Sequence, residues 1–240
     1  MLTVLFRNLM RRDTLSEDER NALAEVIGEP RDVRAHEVLV REGKRIHAST
    51  LLVEGVACRY KDLRDGRRQI SALHVPGDFM DLHSFMLKKL DHDVAMLTAG
   101  KVAVAPHDGI ARITERHPHL ARLLWMATLI DAAIHREQIV SIGRRSALAR
   151  LAHLFRELEA RLEIVGLAEN GRYRLPLTQS DLADVTGLTS VHVNRMLRQL
   201  REEGLVELRS GTVQILNRAG LERAGEFDPA YLHLDGSSGD

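Results

Sequence analysis

From Thr189 to Arg198 the chain reads "TSVHVNRMLR". Drawn on a helix, Val193, Met196, Leu197 and Leu200 form one apolar stripe. Thr189, Ser190, Val191, Asn194, Arg195 and Arg198 fall on or near the opposite side, and no acid follows until Glu202. A guanidinium is a fork of donors that matches guanine O6 and N7, and a carboxamide matches adenine N6 and N7. An acid-free face of this kind can therefore read base edges. Arg195 is placed as the guanine reader, Asn194 lies beside it, and Arg198 is better placed for phosphate. The plain alternative is a helical corner whose arginines are merely solvated.

A second polar cluster lies in "DLHSFMLKKLDHDV", which carries Asp81, His83, Asp91, His92 and Asp93. Imidazole can ligate haem or a metal, and with carboxylates it can line a polar pocket for a small ligand. Alternatively, the histidines are satisfied by neighbouring carboxylates or backbone. The segment holds neither a C-x-x-C-H haem attachment nor an H-x-H pair. An enzyme built on a double-stranded β-helix would need several histidines converging from different strands. No such motif is present, so no catalytic residue is assigned.

The first cluster has a well-signalled frame. Thr178 is a good N-cap, and Asp181 three positions on makes the T-x-x-D form of a capping box. The first helix then spans Gln179–Val185, with Leu182 and Val185 inward. Gly187 permits a sharp reversal, Thr189 caps the next helix from Ser190 to about Glu203, and Gly204 can end it in the left-handed region. "LVELRSGTVQIL" reads as a two-strand wing turning at Ser210–Gly211. Two short helices joined in this way make a helix-turn-helix, whose second helix fits a major groove.

Upstream, Thr14–Ile27 reads as a helix opened by Ser16. From Asp32 to Pro106 short apolar strands alternate with Gly and Asp, as in a β-barrel or β-roll. "STLLVEG" is one strand, and Asp65–Gly66 marks a hairpin at which both central positions should tolerate positive φ. "VAMLTAGKVAVAP" is a further strand pair around Ala99–Gly100. A long helix follows to Gly143. Its residues Leu123, Ala127, Ile130 and Ile134 are spaced four, three, four, the rhythm of a dimer seam. Met126, Leu129 and Ala133 supply a second apolar face, so one face can cover the β-domain while the other meets a second chain. The alternative is a helix buried within one domain. Leu148, Leu151, Leu154, Phe155, Leu158 and Leu162 mark another amphipathic helix, and the polar stretch "AENGRY" leads into the winged segment. The expected layout is a β-roll over 1–118, a dimerisation helix over 119–143, a winged domain over 144–228 and a tail over 229–240.

The chain's 240 residues allow one large or two small domains. Its 34 basic and 34 acidic residues give zero formal net charge. No global basic surplus announces a nucleic-acid partner, although local charge sets a binding footprint. The one cysteine, Cys58, can form no internal disulfide and cannot hold an iron–sulfur cluster of the usual four thiolates. The N-terminal apolar stretch is too short for a secretory signal, and no run approaches the ~18 apolar residues of a membrane span. A cytoplasmic protein with no membrane association is expected.

The segment Leu177–Val206 resembles the winged helix-turn-helix of the Crp/Fnr family of bacterial transcription regulators. The order of short helix, β-roll, long helix and winged domain is similar too. "VPGDFMDL" sits where that family has its G-D-F segment, and "RDGRRQI" resembles its hairpin. The resemblance spans roughly Phe6 to Asn217. It implies an α+β fold: an N-terminal double-stranded β-helix like a cyclic-nucleotide-binding domain, a long dimerisation helix and a C-terminal winged helix-turn-helix. It also implies a homodimer on palindromic promoter DNA that contacts RNA polymerase.

Carried over by position, the base readers are Ser190, Val191, Asn194 and Arg195. Arg195 matches the family's guanine-reading Arg, while Val191 stands where a Glu is common. Thr189, His192 and Arg198 match phosphate-holding positions, and Thr178 and Gln179 complete the candidate DNA contacts. Family members that bind cyclic nucleotides use a Glu after G-D-F for ribose and an Arg–Ser pair for the cyclic phosphate. Leu82, His92 and Asp93 occupy those places here. A phosphate is poorly held where Asp replaces a donor and the fixed cation is lost. cAMP is therefore not the expected effector. No cofactor is predicted, the effector is unknown, and haem stays open. The candidate effector pocket is Asp81, Leu82, His83, His92 and Asp93. The competing expectation is a haem- or metal-binding β-roll sensor whose C-terminal domain binds protein.

Overall fold

A computed structural model describes residues 2–234. Two helices open the chain, α1 (Thr3–Met10) and α2 (Glu17–Val26). The latter begins at the expected Ser16 with a reciprocal capping box to Glu19. The strands β1 (Arg31–Val33), β2 (Val38–Val40), β3 (Ala48–Glu54), β4 (Ala57–Asp62) and β5 (Arg68–His74) follow. A helical turn, α3 (Ser84–Leu87), leads to β6 (Asp93–Met96) and β7 (Gly100–Pro106). They form two antiparallel sheets, ordered β1-β7-β3 and β2-β6-β4-β5. Leu52, Ala57, Val94, Met96 and Val102 fill the roll between them.

Two local expectations need correction. At the β4–β5 hairpin Gly66 alone has positive φ, 82°, and Asp65 does not. The turn is wider than a two-residue one, because Leu63 N–H donates to the Arg67 carbonyl. The strands around Ala99–Gly100 are not partners of each other. β6 pairs with β2 and β4, whereas β7 pairs with β1 and β3. The chain crosses between sheets at Gly100, where a Cβ would lie 2.0 Å from the Glu54 carbonyl oxygen.

α4 (His107–Arg116), which the sequence reading passed over, precedes α5 (Pro118–Arg144) and α6 (Ala147–Val165). The helix break falls at Arg145–Ser146, and Ser146 caps α6 by accepting from Ala149 N–H. The core does not break there. The largest apolar cluster runs from Cys58, Tyr60 and Ile70 of the roll through Phe155 and Leu158 of α6 to Leu182, Val193 and Leu200.

The C-terminal part begins with β8 (Ala168–Glu169) and β9 (Arg172–Arg174), then α7 (Gln179–Thr186) and α8 (Ser190–Glu202). β10 (Val206–Arg209), β11 (Thr212–Ile215), α9 (Arg218–Gly225) and a 3₁₀ turn (Pro229–Leu232) complete it. The stretch "AENGRY", read as a connector, is the β8–β9 hairpin. Its Asn170 and Gly171 have φ of 52° and 75°, the Asn-Gly turn signal in person. This hairpin widens the wing into a four-stranded sheet ordered β10-β11-β9-β8. The wing turns at Ser210 and Gly211, both with positive φ, as expected. Of the tail read over 229–240, residues 235–240 lie outside the described ones.

Candidate nucleic-acid interface and the sensor cavity

Local capping positions the outer helix. Thr178 accepts from Asp181 N–H, and the Asp181 carboxylate accepts from Thr178 N–H and its hydroxyl. Thr178 is thereby committed to α7, while Gln179 beside it is exposed. Gly187, at φ 66°, turns the chain, and Thr189 caps α8 by accepting from His192 N–H. Val193, Met196 and Leu200 are buried, with Leu197 half-buried. This orientation leaves Thr189, Ser190, Val191, Asn194, Arg195 and Arg198 exposed and His192 half-buried.

The exposed groups differ in how free they are. Arg198 Nε donates to Glu202 at 2.7 Å, a surface pair between two exposed side chains. Such a pair contributes little and is easily exchanged for a phosphate. Arg195 has no hydrogen-bond or ion-pair partner among the described residues. Val191 is 82% exposed, a large apolar side chain left in water at the end of the helix that would enter a groove first. One arrangement escaped the sequence reading: the last carbonyls of α7 accept from Gln69, Gln138 and Arg150, on the roll, α5 and α6. Nothing local to those residues signals it.

The candidate effector residues do not converge. Asp81 is buried and accepts from Thr50 N–H within the roll, and burial pushes it up to about 6. Asp93 is turned toward the neighbouring loop, accepting from Glu42 N–H at 2.6 Å and from Arg41. His92 Nδ1 is 2.9 Å from Asp91, and its ring centroid lies 5.5 Å from that of His83. Only Leu82 and His83 line the cavity of about 70 Å³ enclosed by α1, α5, α6 and the roll. Among the described residues, no group of three or more His, Cys, Asp or Glu side chains could hold a metal ion.

Apart from His83, the polar wall of that cavity comes from residues that the sequence did not single out. Arg59 is buried, its Nη1 donating to Asp131 at 2.6 Å and its Nε to the Met80 carbonyl at 2.6 Å. This pair ties the roll to α5. Beside it His74 is buried, and its Nε2 has no hydrogen-bond partner among the described residues. Burial, then the Arg59 charge, pull His74 and His83 down to about 4, so both rings are neutral near pH 7. Burial raises the Asp131 carboxyl, but the Arg59 charge leads the interactions that outweigh it and hold it below its ordinary value.

The residues of the expected dimer seam face this cavity of their own chain. Leu123 and Ile130 are buried in their own chain, and Ala127 and Ile134 are half-buried in the cavity wall. The exposed apolar stripe is the opposite one: Trp125 at 66%, Leu129 at 55%, Ile139 at 70% and Val140 at 45%. Trp125, Leu129, Ala132, Arg136 and Ile139 also repeat at four, three, four, three. α5 carries two stripes of one period, and only packing tells which meets the roll.

Comparison with known proteins agrees with this architecture. The cyclic nucleotide-binding domain family matches residues 30–117, and the Crp-like helix-turn-helix domain family matches residues 149–224. The chain is 31% identical over 173 residues to the nitrogen fixation regulation protein FixK of Bradyrhizobium diazoefficiens, covering 71% of each. It is 27% identical over 215 residues to the transcriptional activator protein FnrL of Cereibacter sphaeroides, covering 88% of this chain and 86% of that one. The solved structure of FixK2 from Bradyrhizobium japonicum superposes with a TM-score of 0.74 at 26% identity, covering 82% of this chain and 96% of that chain.

Proposed function

The chain belongs to the Crp/Fnr family of DNA-binding transcription regulators and is not an enzyme; from that premise we propose that it binds palindromic promoter sites as a homodimer. The reading rests on the outer face of α8, where an unpaired Arg195 stands beside Asn194 and Val191. Arg195 reads a guanine in each half-site, and Asn194 and Ser190 contact neighbouring bases. Val191 offers only apolar contact, such as to a thymine methyl. Thr189, His192 and Arg198 hold phosphates, and Gln179 adds a backbone contact at the start of α7. Thr178 keeps its role as the cap.

Dimerisation uses the exposed Trp125, Leu129, Ile139 and Val140 with half-buried Ala132 among them, since an apolar stripe of that length in water is stabilised by a second copy. RNA polymerase is the further partner, and the cytoplasm, where promoters lie, is the setting. No helix among the described residues is long and apolar enough to cross a membrane.

cAMP is not the effector in this reading. Of the cations that line the cavity, Arg59 is paired with Asp131 and Arg161 with Asp78 and Glu157, and Asp93, which stands at the phosphate position by sequence, is turned to the neighbouring loop. The domain divisions are a roll over 1–118, a dimer helix over 119–143 and a winged unit over 144–228, with the roll and winged unit sharing a core.

Selection of bound sequences from random DNA tests the whole reading, with sedimentation run alongside. A palindromic consensus bound by a dimer is expected. Leu129→Glu with Ile139→Glu should give monomers that lose the full site, and a dimer unaffected by both charges would refute the proposed interface.

A further inference from the structure

Inside a helix the last four carbonyls have no intrahelical partner. In α7 the local chain provides for the first of them: Gly187 and Leu188 N–H donate to the Ala183 carbonyl. The next three are met from outside the motif. Gln69 of β5 donates to the Asp184 carbonyl at 2.8 Å, Gln138 of α5 to that of Val185 at 2.7 Å, and Arg150 of α6 to that of Thr186 at 3.0 Å. The turn itself rests in the same three elements. A Cβ added at Gly187 would meet Ile142, Arg150 and the Gln69 side-chain oxygen at 3.5, 3.7 and 3.8 Å.

Three donors from three elements thus close on consecutive carbonyls of one helix end. Two arrive as neutral amides, and the third brings a cation to the negative end of the helix dipole. α7 is joined to α8 by the short Gly187 turn and a shared buried core, so an orientation imposed on α7 is passed to α8. Gln138 lies on the helix that carries the proposed dimer face, one residue from Ile139.

We infer that Gln69, Gln138 and Arg150 are positioning residues that set the spacing between DNA half-sites by fixing α8 relative to α5. The inference rests on the homodimer reading above. Two recognition helices must enter grooves about one turn, 34–36 Å, apart. Changing the spacing by one base pair moves the second groove by about 3.4 Å and rotates it by about 35°. A clamped pair of helices cannot follow that change, and a loosened pair can. Base preference within each half-site is untouched, because none of the three residues lies on the outer face of α8.

The test uses the full-length protein and a series of selected palindromes whose half-sites are moved apart or together by one and two base pairs. Gln69→Glu with Gln138→Glu keeps side-chain shape but replaces amide donors with carboxylates that repel the α7 carbonyls. The intact protein should prefer one spacing strongly. The double variant should bind the neighbouring spacings nearly as well as the best one, while its discrimination between bases stays intact. Arg150→Lys, which keeps both donor and charge, should retain the preference. Gln138→Met serves as a second, uncharged variant should the double change impair folding. If the variants remain dimers by sedimentation and keep the wild-type ratio between spacings, the inference is overturned. If the intact protein sediments as a monomer on DNA, the dimer reading falls and takes the inference with it.

Discussion

The outer face of α8 and the cavity under α5 are made from the same kinds of side chain, yet the fold treats them oppositely. On α8, Asn194 and Arg195 stand in water, held in place only by the helix beneath them. In the cavity, Arg59 is buried against Asp131 and the Met80 carbonyl, and two histidines are kept neutral. The first region leaves its hydrogen-bonding capacity for a partner. The second spends most of its own on joining the roll to α5. Polar residues therefore signal a binding surface only where the fold has not already paired them.

The largest effect that separates the two regions should come from Arg195→Ala. Each lost bidentate contact costs roughly 1–3 kcal/mol of binding, and a symmetric dimer loses two. Folding stability should not change, since Arg195 has no partner to lose. Arg198→Ala should instead weaken all sequences alike and lower the salt slope by about one per phosphate contact. Binding of both variants to every single-base variant of the selected site decides the matter. Full discrimination retained by Arg195→Ala would sink the groove-reading role.

Asp131→Ala should show the reverse signature. It leaves the Arg59 guanidinium buried without its anion, at a cost of about 3 kcal/mol of stability. Base discrimination by whatever protein remains folded should be unchanged. Urea titration beside the same DNA panel checks this, and an unaltered urea midpoint would mean that Asp131 is not needed there.

Acid should act on the stability of the cavity region. His74 and His83 sit at about 4 against an ordinary 6.5, so between those values the unfolded chain binds more protons than the folded one. Their contribution is full above pH 6.5 and is lost as pH falls toward 4. Asp81 works against this. At about 6 against 3.8, it holds a proton in the folded state and adds stability as pH falls below 6. Two groups outweigh one, so the urea midpoint should drop between pH 7 and pH 5. His83→Gln should shrink that drop and Asp81→Asn should enlarge it. A midpoint that rises on acidification would contradict the assignment.

The smallest expected effect is none at all. Titration calorimetry with cAMP should give no saturable heat, and cAMP should leave DNA affinity unchanged. Micromolar binding coupled to tighter DNA binding would show that the cavity is open to a cyclic nucleotide after all.

Much of this architecture was legible in the linear chain, for a definable reason. Capping boxes at Ser16 and Thr178, the cap at Thr189, Gly187 and Gly204 at helix ends and the Ser210–Gly211 turn all act between residues a few positions apart. Contacts of that range are written into the order of the residues, which is why the helix-turn-helix and its outward face could be drawn before any packing was known. The Asn170–Gly171 hairpin was written there too and was passed over, as was the Asn217 cap that opens α9.

Tertiary structure alone decided what depends on partners distant in the chain. α5 holds two stripes of equal period, the outer one apolar except at Arg136, and the roll took the one containing Leu123 and Ile130, which left Trp125 and Ile139 outside. Consecutive strands β6 and β7 parted to different sheets. Asp81, Asp93 and His92 each found a separate partner instead of a shared ligand, while Arg59 reached Asp131 across 72 positions. Periodicity records which side of an element is apolar, but not which surface will cover it. That is decided when the elements pack and each buried charge takes the nearest group able to satisfy it.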